Sequence, residues 1–221
     1  MNSNKNIEKI MNILESYFNY TERTTLNSMR NKKSNKQAFK ILIACLLSLR
    51  ARDETTNKIS KELFKIADTP EKISKINTEK LEKIIYQTGH YHKKAIALKS
   101  VSKELIEKFN SKVPSTREEL LSIKYIGPKT ANIVLNFAFN QNYIPIDTHC
   151  HRIPNRLGWL KTKNPEKTEI ELMKILPKKY WKEFNGIFVL FGRTICLPIS
   201  PFCSKCPINK YCPRINIKKS R

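Results

Sequence analysis

Ile123-Lys-Tyr-Ile-Gly-Pro-Lys-Thr130 heads the stretch IKYIGPKTANIVLNFAFNQNYIPIDTHCHR, which ends at Arg152. It reads as a short helix, a tight turn and a second helix. Ile126 plugs the turn, Gly127 permits a positive φ, and Pro128 takes the first helical position, where its missing N–H costs nothing. The unpaired backbone N–H groups at such a helix start form an anion site suited to a nucleic-acid phosphate. Ile126, Gly127 and Thr130 are therefore candidate contacts, with an ordinary helix joint as the alternative. Lys129 stands in the first turn, where the helix dipole opposes a cation and favours the neutral amine, the form that attacks carbon. Its bland alternative is an exposed surface lysine. Asp147 opens Asp-Thr-His as a candidate N-cap, and a carboxylate at a helix start is held rigidly. An amine and a carboxylate brought to one cleft can form and resolve a Schiff base.

Outward from this stretch the periodicity stays helical. Ile7, Ile10, Met11, Leu14, Tyr17 and Phe18 share a face. Gln37–Leu49 is strongly apolar. Asp53 can cap a helix carrying Ile59, Leu63 and Phe64, and Thr69-Pro70 reads as N-cap and first position. A helix through Leu81 and Ile85 stops at Gly89, and another runs from Ile96 to Phe109. Ser115-Thr-Arg-Glu118 is a capping box. Pro128–Asn140 buries Ile133, Val134, Phe137 and Ala138. Asn164-Pro165 opens a helix that ends before Pro177, and Tyr180–Thr194 precedes a cysteine-rich end. No period-two alternation is long enough for a sheet. The expected fold is all-α, with roughly ten short helices and a basic, frayed tail at Ile215–Arg221.

The 221 residues carry 42 Lys and Arg against 19 Asp and Glu, a formal charge of +23. With 40% hydrophobic and 28% charged residues the composition is globular,. The charge favours a polyanion, although a solvated Lys-rich surface would also produce it. No basic amphipathic helix with a lipid-facing aromatic edge speaks for a membrane surface. The start, MNSNKNIEKI, lacks the apolar segment of a signal peptide, and no apolar run reaches the roughly 18 residues of a membrane span. The expectation is a cytoplasmic, nucleoid-associated protein with reduced thiols.

Cys196, Cys203, Cys206 and Cys212 form the pattern C-x6-C-x2-C-x5-C. Structural zinc usually shows two C-x2-C-like pairs, often distant in sequence. One such pair with all four thiols in one loop favours a [4Fe-4S] cluster. Cys45, on an apolar helix, reads as core. The pairs His90/His92 and His149/His151 have no accompanying carboxylate pattern and are not expected to bind metal.

Together these features resemble the endonuclease III family of helix-hairpin-helix DNA glycosylases. The resemblance runs through LIACLLSLRARDETT (42–56), TGHYHKKA (88–95), GPKTANIVLNFAF (127–139), IDTHCHRIPNRLG (146–158) and the four cysteines. It implies a six-helix barrel over residues 31–141. Residues 1–30 and 142–221 would form an iron-sulfur cluster domain, with a DNA cleft between the two. It implies a bifunctional DNA glycosylase and AP lyase of base excision repair. Such an enzyme acts as a monomer on double-stranded DNA holding a damaged base, an oxidised pyrimidine, or an abasic site. Lys129 would be the nucleophile, Asp147 its partner, and the cluster a structural element.

The chain also departs from the family pattern. The usual hairpin, L-P-G-V-G-x-K, has Lys124 and Tyr125 at its proline and first glycine. The residues that fill the gap left by a flipped base, usually Gln and Leu, are Arg50 and His90. The loop LPISPF between Cys196 and Cys203 lacks the expected basic residues, so Arg193 and Lys205 are the candidate substitutes. Two alternatives have other chemistry. A monofunctional mismatch glycosylase generally lacks a lysine at position 129. A non-enzymatic iron-sulfur DNA-binding protein would leave the Lys129–Asp147 pair as coincidence.

Overall fold

The computed structural model describes residues 6–19, 34–49, 51 and 53–221, with Asp53 by its backbone alone. These residues form eleven α-helices joined by turns and short 3-10 segments, with no strand among them. The chain divides into two compact units: the helices between residues 34 and 141 make one, and the N-terminal helix with residues 142–221 makes the other. The expected cap at Asp53 rests on a side chain outside the described residues.

The first unit is built on α2 (Asn35–Ser48), α3 (Asp53–Ile66), α4 (Pro70–Lys75), α5 (Thr78–Ile85), α6 (Tyr91–Phe109), α7 (Arg117–Ser122) and α8 (Pro128–Phe139). Ser34 caps α2 by accepting from the Gln37 N–H, and Thr69 caps α4 with Pro70 behind it. Helix α2 is buried from Ala38 to Leu47 apart from Lys40, and α8 from Thr130 to Phe137. A helix apolar on every side belongs inside its unit, and α2 and α8 pack against each other there. Asp68 clips this unit at its edge. It pairs with Lys36 at 2.5 Å and Lys72 at 2.9 Å, and those two hydrogen bonds pull its carboxyl down to about 2.

Two expected boundaries shift. Helix α6 starts at Tyr91, five residues before the expected Ile96, because the inward residue of its first turn is the cation Lys94, which hides the apolar period. The sequence holds two overlapping capping boxes, and the second one forms. Thr116, not Ser115, accepts from the Glu119 N–H and donates its hydroxyl to the Glu119 carboxylate at 2.6 Å.

The second unit contains α1 (Ile7–Phe18), α9 (Thr148–Arg156), α10 (Pro165–Ile175) and α11 (Trp181–Thr194). Ile7, Ile10, Met11 and Leu14 of α1 are buried in one core with Phe184, Phe188 and Phe191 of α11. Phe184 and Phe188 stack with ring centroids 4.0 Å apart. The tail is not frayed. Ile215 donates its N–H to the Arg156 carbonyl at 3.1 Å. Arg221 N–H reaches the Pro201 carbonyl at 2.8 Å, and its guanidinium lies over the Phe202 ring. Main-chain pairing of this kind leaves no trace in hydrophobic periodicity, so the tail reads as loose from sequence. No described helix is long and apolar enough to cross a membrane.

Candidate active site and cysteine recess

The hairpin joins α7 to α8 in the first unit. Ile123 closes α7, and Ile126 donates its N–H to the Ile123 carbonyl at 3.1 Å. Positive φ falls on Tyr125 (71°), at the third place of this turn, while Gly127 is extended (φ −95°, ψ 175°). The expectation that Gly127 supplies a left-handed turn is corrected. Tyr125 carries that strain, on the order of 1 kcal/mol for a residue with a Cβ. The surroundings fix the turn: Lys124 N–H donates to Glu104 Oε1 at 3.1 Å, and the Lys124 ammonium lies 5.2 Å from the Tyr125 ring centre. The Lys108 bond, with the Lys124 N–H behind it, holds the Glu104 carboxyl below the usual carboxylate range. A Cβ on Gly127 would meet nothing within 4 Å, so the glycine leaves open space against the backbone.

Helix α8 starts without a side-chain cap at Gly127. Pro128 and Lys129 open its first turn, and Lys129 is half-buried. Ile126 and Thr130 are 5% and 4% exposed, so their side chains belong to the core and only their backbone can meet a ligand. Thr130 Oγ1 accepts from Cys45 Sγ at 3.8 Å, and burial pushes the Cys45 thiol up. Arg117 braces the joint by donating from Nε to Asn132 Oδ1 at 3.2 Å. His90 is exposed in left-handed backbone (φ 49°), directly after Gly89 (φ 68°) and ahead of α6. Arg50 lies outside the described residues.

In the second unit Asp147 is the N-cap of α9. Its Oδ1 accepts from the His149 and Cys150 N–H groups, each at 2.9 Å. The carboxylate is thus fixed at the positive end of the helix. Asn185 supports the approach to it, donating to the Pro145 carbonyl at 2.9 Å and to Cys150 Sγ at 3.4 Å. His149 packs so closely on α11 that a Cβ on Gly192 would sit 2.2 Å from its Nδ1. Gly192 is required by space, not by φ.

The far end of α9 holds the cysteine loop. Arg152 Nη2 donates to the Cys196 carbonyl at 2.7 Å and the Gly192 carbonyl at 3.3 Å. Arg156 Nη1 donates to the Leu197 carbonyl at 2.7 Å and Cys196 Sγ at 3.4 Å, and its Nη2 reaches the Pro198 carbonyl at 2.6 Å. Cys196, Cys203, Cys206 and Cys212 line one recess, walled by Ile153, Leu157, Phe191 and Ile208. Burial pushes the Cys206 thiol up to about 11, with the other three cysteines adding to the rise, and burial raises Cys212 as well. The Arg214 N–H points at Cys212 Sγ at 3.4 Å. Among the described residues no three His, Cys, Asp or Glu side chains close around a single metal ion. Arg193 and Lys205 are both exposed beside the loop, whose Ile199 is 85% exposed.

The sequence-predicted residues therefore divide between the units: Ile126, Gly127, Lys129, Thr130 and His90 in one, Asp147, Arg193, Lys205 and the four cysteines in the other. Sequence reasoning missed Arg152, Arg156, Asn185 and Gly192. The one available signal was helical spacing, since Arg152 and Arg156 stand four apart and share a face of the helix that Asp147 begins.

Comparison with known proteins agrees with this geometry. The family described as HhH-GPD superfamily base excision DNA repair protein matches residues 43–178. The fold and hairpin are those of a base-excision DNA glycosylase. Endonuclease III of Thermotoga maritima is 45% identical over 183 residues, covering 83% of this chain and 85% of that protein. The solved structure of a trapped endonuclease III–DNA covalent intermediate is 32% identical, covers 97% of each chain and superposes with a TM-score of 0.84. A thermostable thymine-DNA glycosylase, 23% identical with a TM-score of 0.81, shares the fold. The chain belongs to the endonuclease III family and is a bifunctional base-excision-repair DNA glycosylase and AP lyase.

Proposed function

We propose that the chain removes oxidised pyrimidines from duplex DNA through a Schiff base on Lys129 and cuts the strand by β-elimination. The observation that carries this reading is Lys129 itself, an amine in the first turn of α8 behind a hairpin whose bare Gly127 admits a phosphate to the backbone,. The target nucleotide is flipped out of the stack. Arg50 and His90 occupy the gap, while Arg193 and Lys205 meet phosphates. Lys129 Nζ attacks C1′, the glycosidic bond breaks, and the base leaves with the bonding electrons and takes up a proton. Asp147 stabilises the positive charge on the sugar and relays the protons released by the amine. The nitrogen lone pair then opens the sugar ring by breaking C1′–O4′, O4′ takes up one of those protons, and the resulting iminium acidifies the C2′ proton. Its removal expels the 3′ phosphate, and water then frees Lys129.

The four cysteines fit a [4Fe-4S] cluster. They line one recess, N–H groups from Arg156 and Arg214 point at two of the sulfurs, and the walls are largely apolar,. Bound there, the cluster would cross-link the loop without taking part in the chemical step. Arg152 and Arg156 would couple that loop to the helix that holds Asp147. Elemental analysis of purified protein is expected to give iron and sulfide in cluster proportion. Zinc without iron would overturn this assignment.

A duplex carrying one oxidised pyrimidine tests the activity. Base release accompanied by cleavage 3′ to the lesion is the expected result. Base release with the strand left intact would show a monofunctional glycosylase, and no release would contradict the lesion class. The protein is expected to act as a monomer in the cytoplasm.

A further inference from the structure

Lys94 is 6% exposed, and its amine donates to two carbonyls, Leu47 O at 2.7 Å and Thr88 O at 2.8 Å. Neither partner is a carboxylate. Burial pulls its pKa from the ordinary lysine value to about 8. Lysine is seldom buried without an acidic partner, and the position needs a reason beyond filling space. Two features supply one.

Leu47 lies in the last turn of α2, where carbonyls lack helical partners and the dipole favours a cation,. Thr88 lies in the turn before α6, whose next two residues, Gly89 and His90, both have positive φ, His90 in the left-handed helical region. Lys94 holds that turn twice, because its backbone N–H also bonds the His90 carbonyl at 3.1 Å. A non-glycine residue in this conformation persists only where neighbouring contacts over-determine it. Two residues beyond each held carbonyl stands an exposed side chain: Leu49 (42% exposed) after Leu47, and His90 after Thr88. One amine therefore anchors two chain segments whose next side chains both leave the core.

We propose that Lys94 is a positioning residue that ties these two segments together and so holds the turn before α6 as a rigid wedge, with His90 entering the duplex where the target nucleotide leaves. This rests on the reading that His90 fills that gap. Lys94 does not touch the reacting atoms; it sets where the wedge stands and so how well an extruded nucleotide is held.

The test uses the full chain and a duplex with 2-aminopurine opposite a non-cleavable abasic analogue. The wild type is expected to change the probe's fluorescence as the wedge meets the orphaned base. Lys94→Met should lose most of that change and lower excision kcat/KM by at least about tenfold. In a His90→Ala background it should cost less than about twofold more, because residues acting through one another are non-additive. Lys94→Gln, which keeps a donor, should recover part of the response and covers a Lys94→Met variant that fails to fold. A wild-type fluorescence change in Lys94→Met would overturn the proposal, and so would losses that multiply independently in the double variant. Unfolding of both Lys94 variants would also overturn it, by showing a purely structural lysine. A wild type that neither answers the probe nor excises bases would instead refute the functional reading on which the proposal rests.

Discussion

Lys129→Ala loses strand cleavage on abasic DNA by at least about a thousandfold while the protein still folds and binds, because the variant removes the nucleophile and little else. Lys129 is half-buried in the first turn of α8, and alanine is the better helix former there, so the melting temperature should barely move,. The phosphate site is built from backbone at Gly127 and the start of α8, which no side-chain substitution at 129 deletes. Gel analysis of an abasic duplex reads the cleavage rate, and a binding isotherm on an uncleavable duplex reads affinity. Cleavage at the wild-type rate would remove Lys129 from the chemistry.

The second large effect separates two roles of one side chain. Asp147 Oδ1 caps α9, and the same carboxylate is assigned the charge that supports base departure. Asparagine caps about as well as aspartate, so Asp147→Asn should melt like the wild type. It lacks the charge, and base release should slow by about a hundredfold or more, the scale of one lost acid–base or electrostatic group. Asp147→Ala loses the cap as well and should be less stable by about 1 kcal/mol. Full activity in Asp147→Asn would reduce Asp147 to a cap. An Asn variant as unstable as the Ala variant would contradict the capping geometry, since the same two N–H groups would then go unsatisfied.

Much of this was legible in the chain because the signals are local. Thr69-Pro70, Asn164-Pro165 and Asp147 start helices through bonds made within three residues of themselves. The apolar period of α1 marks its buried stripe, and the cysteine spacing brings four thiols to one recess. What escaped depends on partners distant in sequence. The left-handed backbone passed from Gly127 to Tyr125 because Glu104, twenty residues earlier, holds the Lys124 N–H. The start of α6 was hidden by Lys94, whose carbonyl partner Leu47 lies in another helix. The tail at Ile215–Arg221 is held through the main chain of Arg156 and Pro201, which side-chain identity does not advertise. Arg152 and Arg156 looked like two more cations in a chain of +23, and only the carbonyls of the cysteine loop show their purpose.

The central claim is that Lys129 bonds to the sugar. Borohydride reduction of the wild-type protein on an abasic duplex, followed by digestion and peptide mass spectrometry, reads that bond directly. The account predicts a deoxyribose remnant on the peptide containing Lys129. An adduct on a different amine, or none from folded, DNA-binding protein, would contradict it.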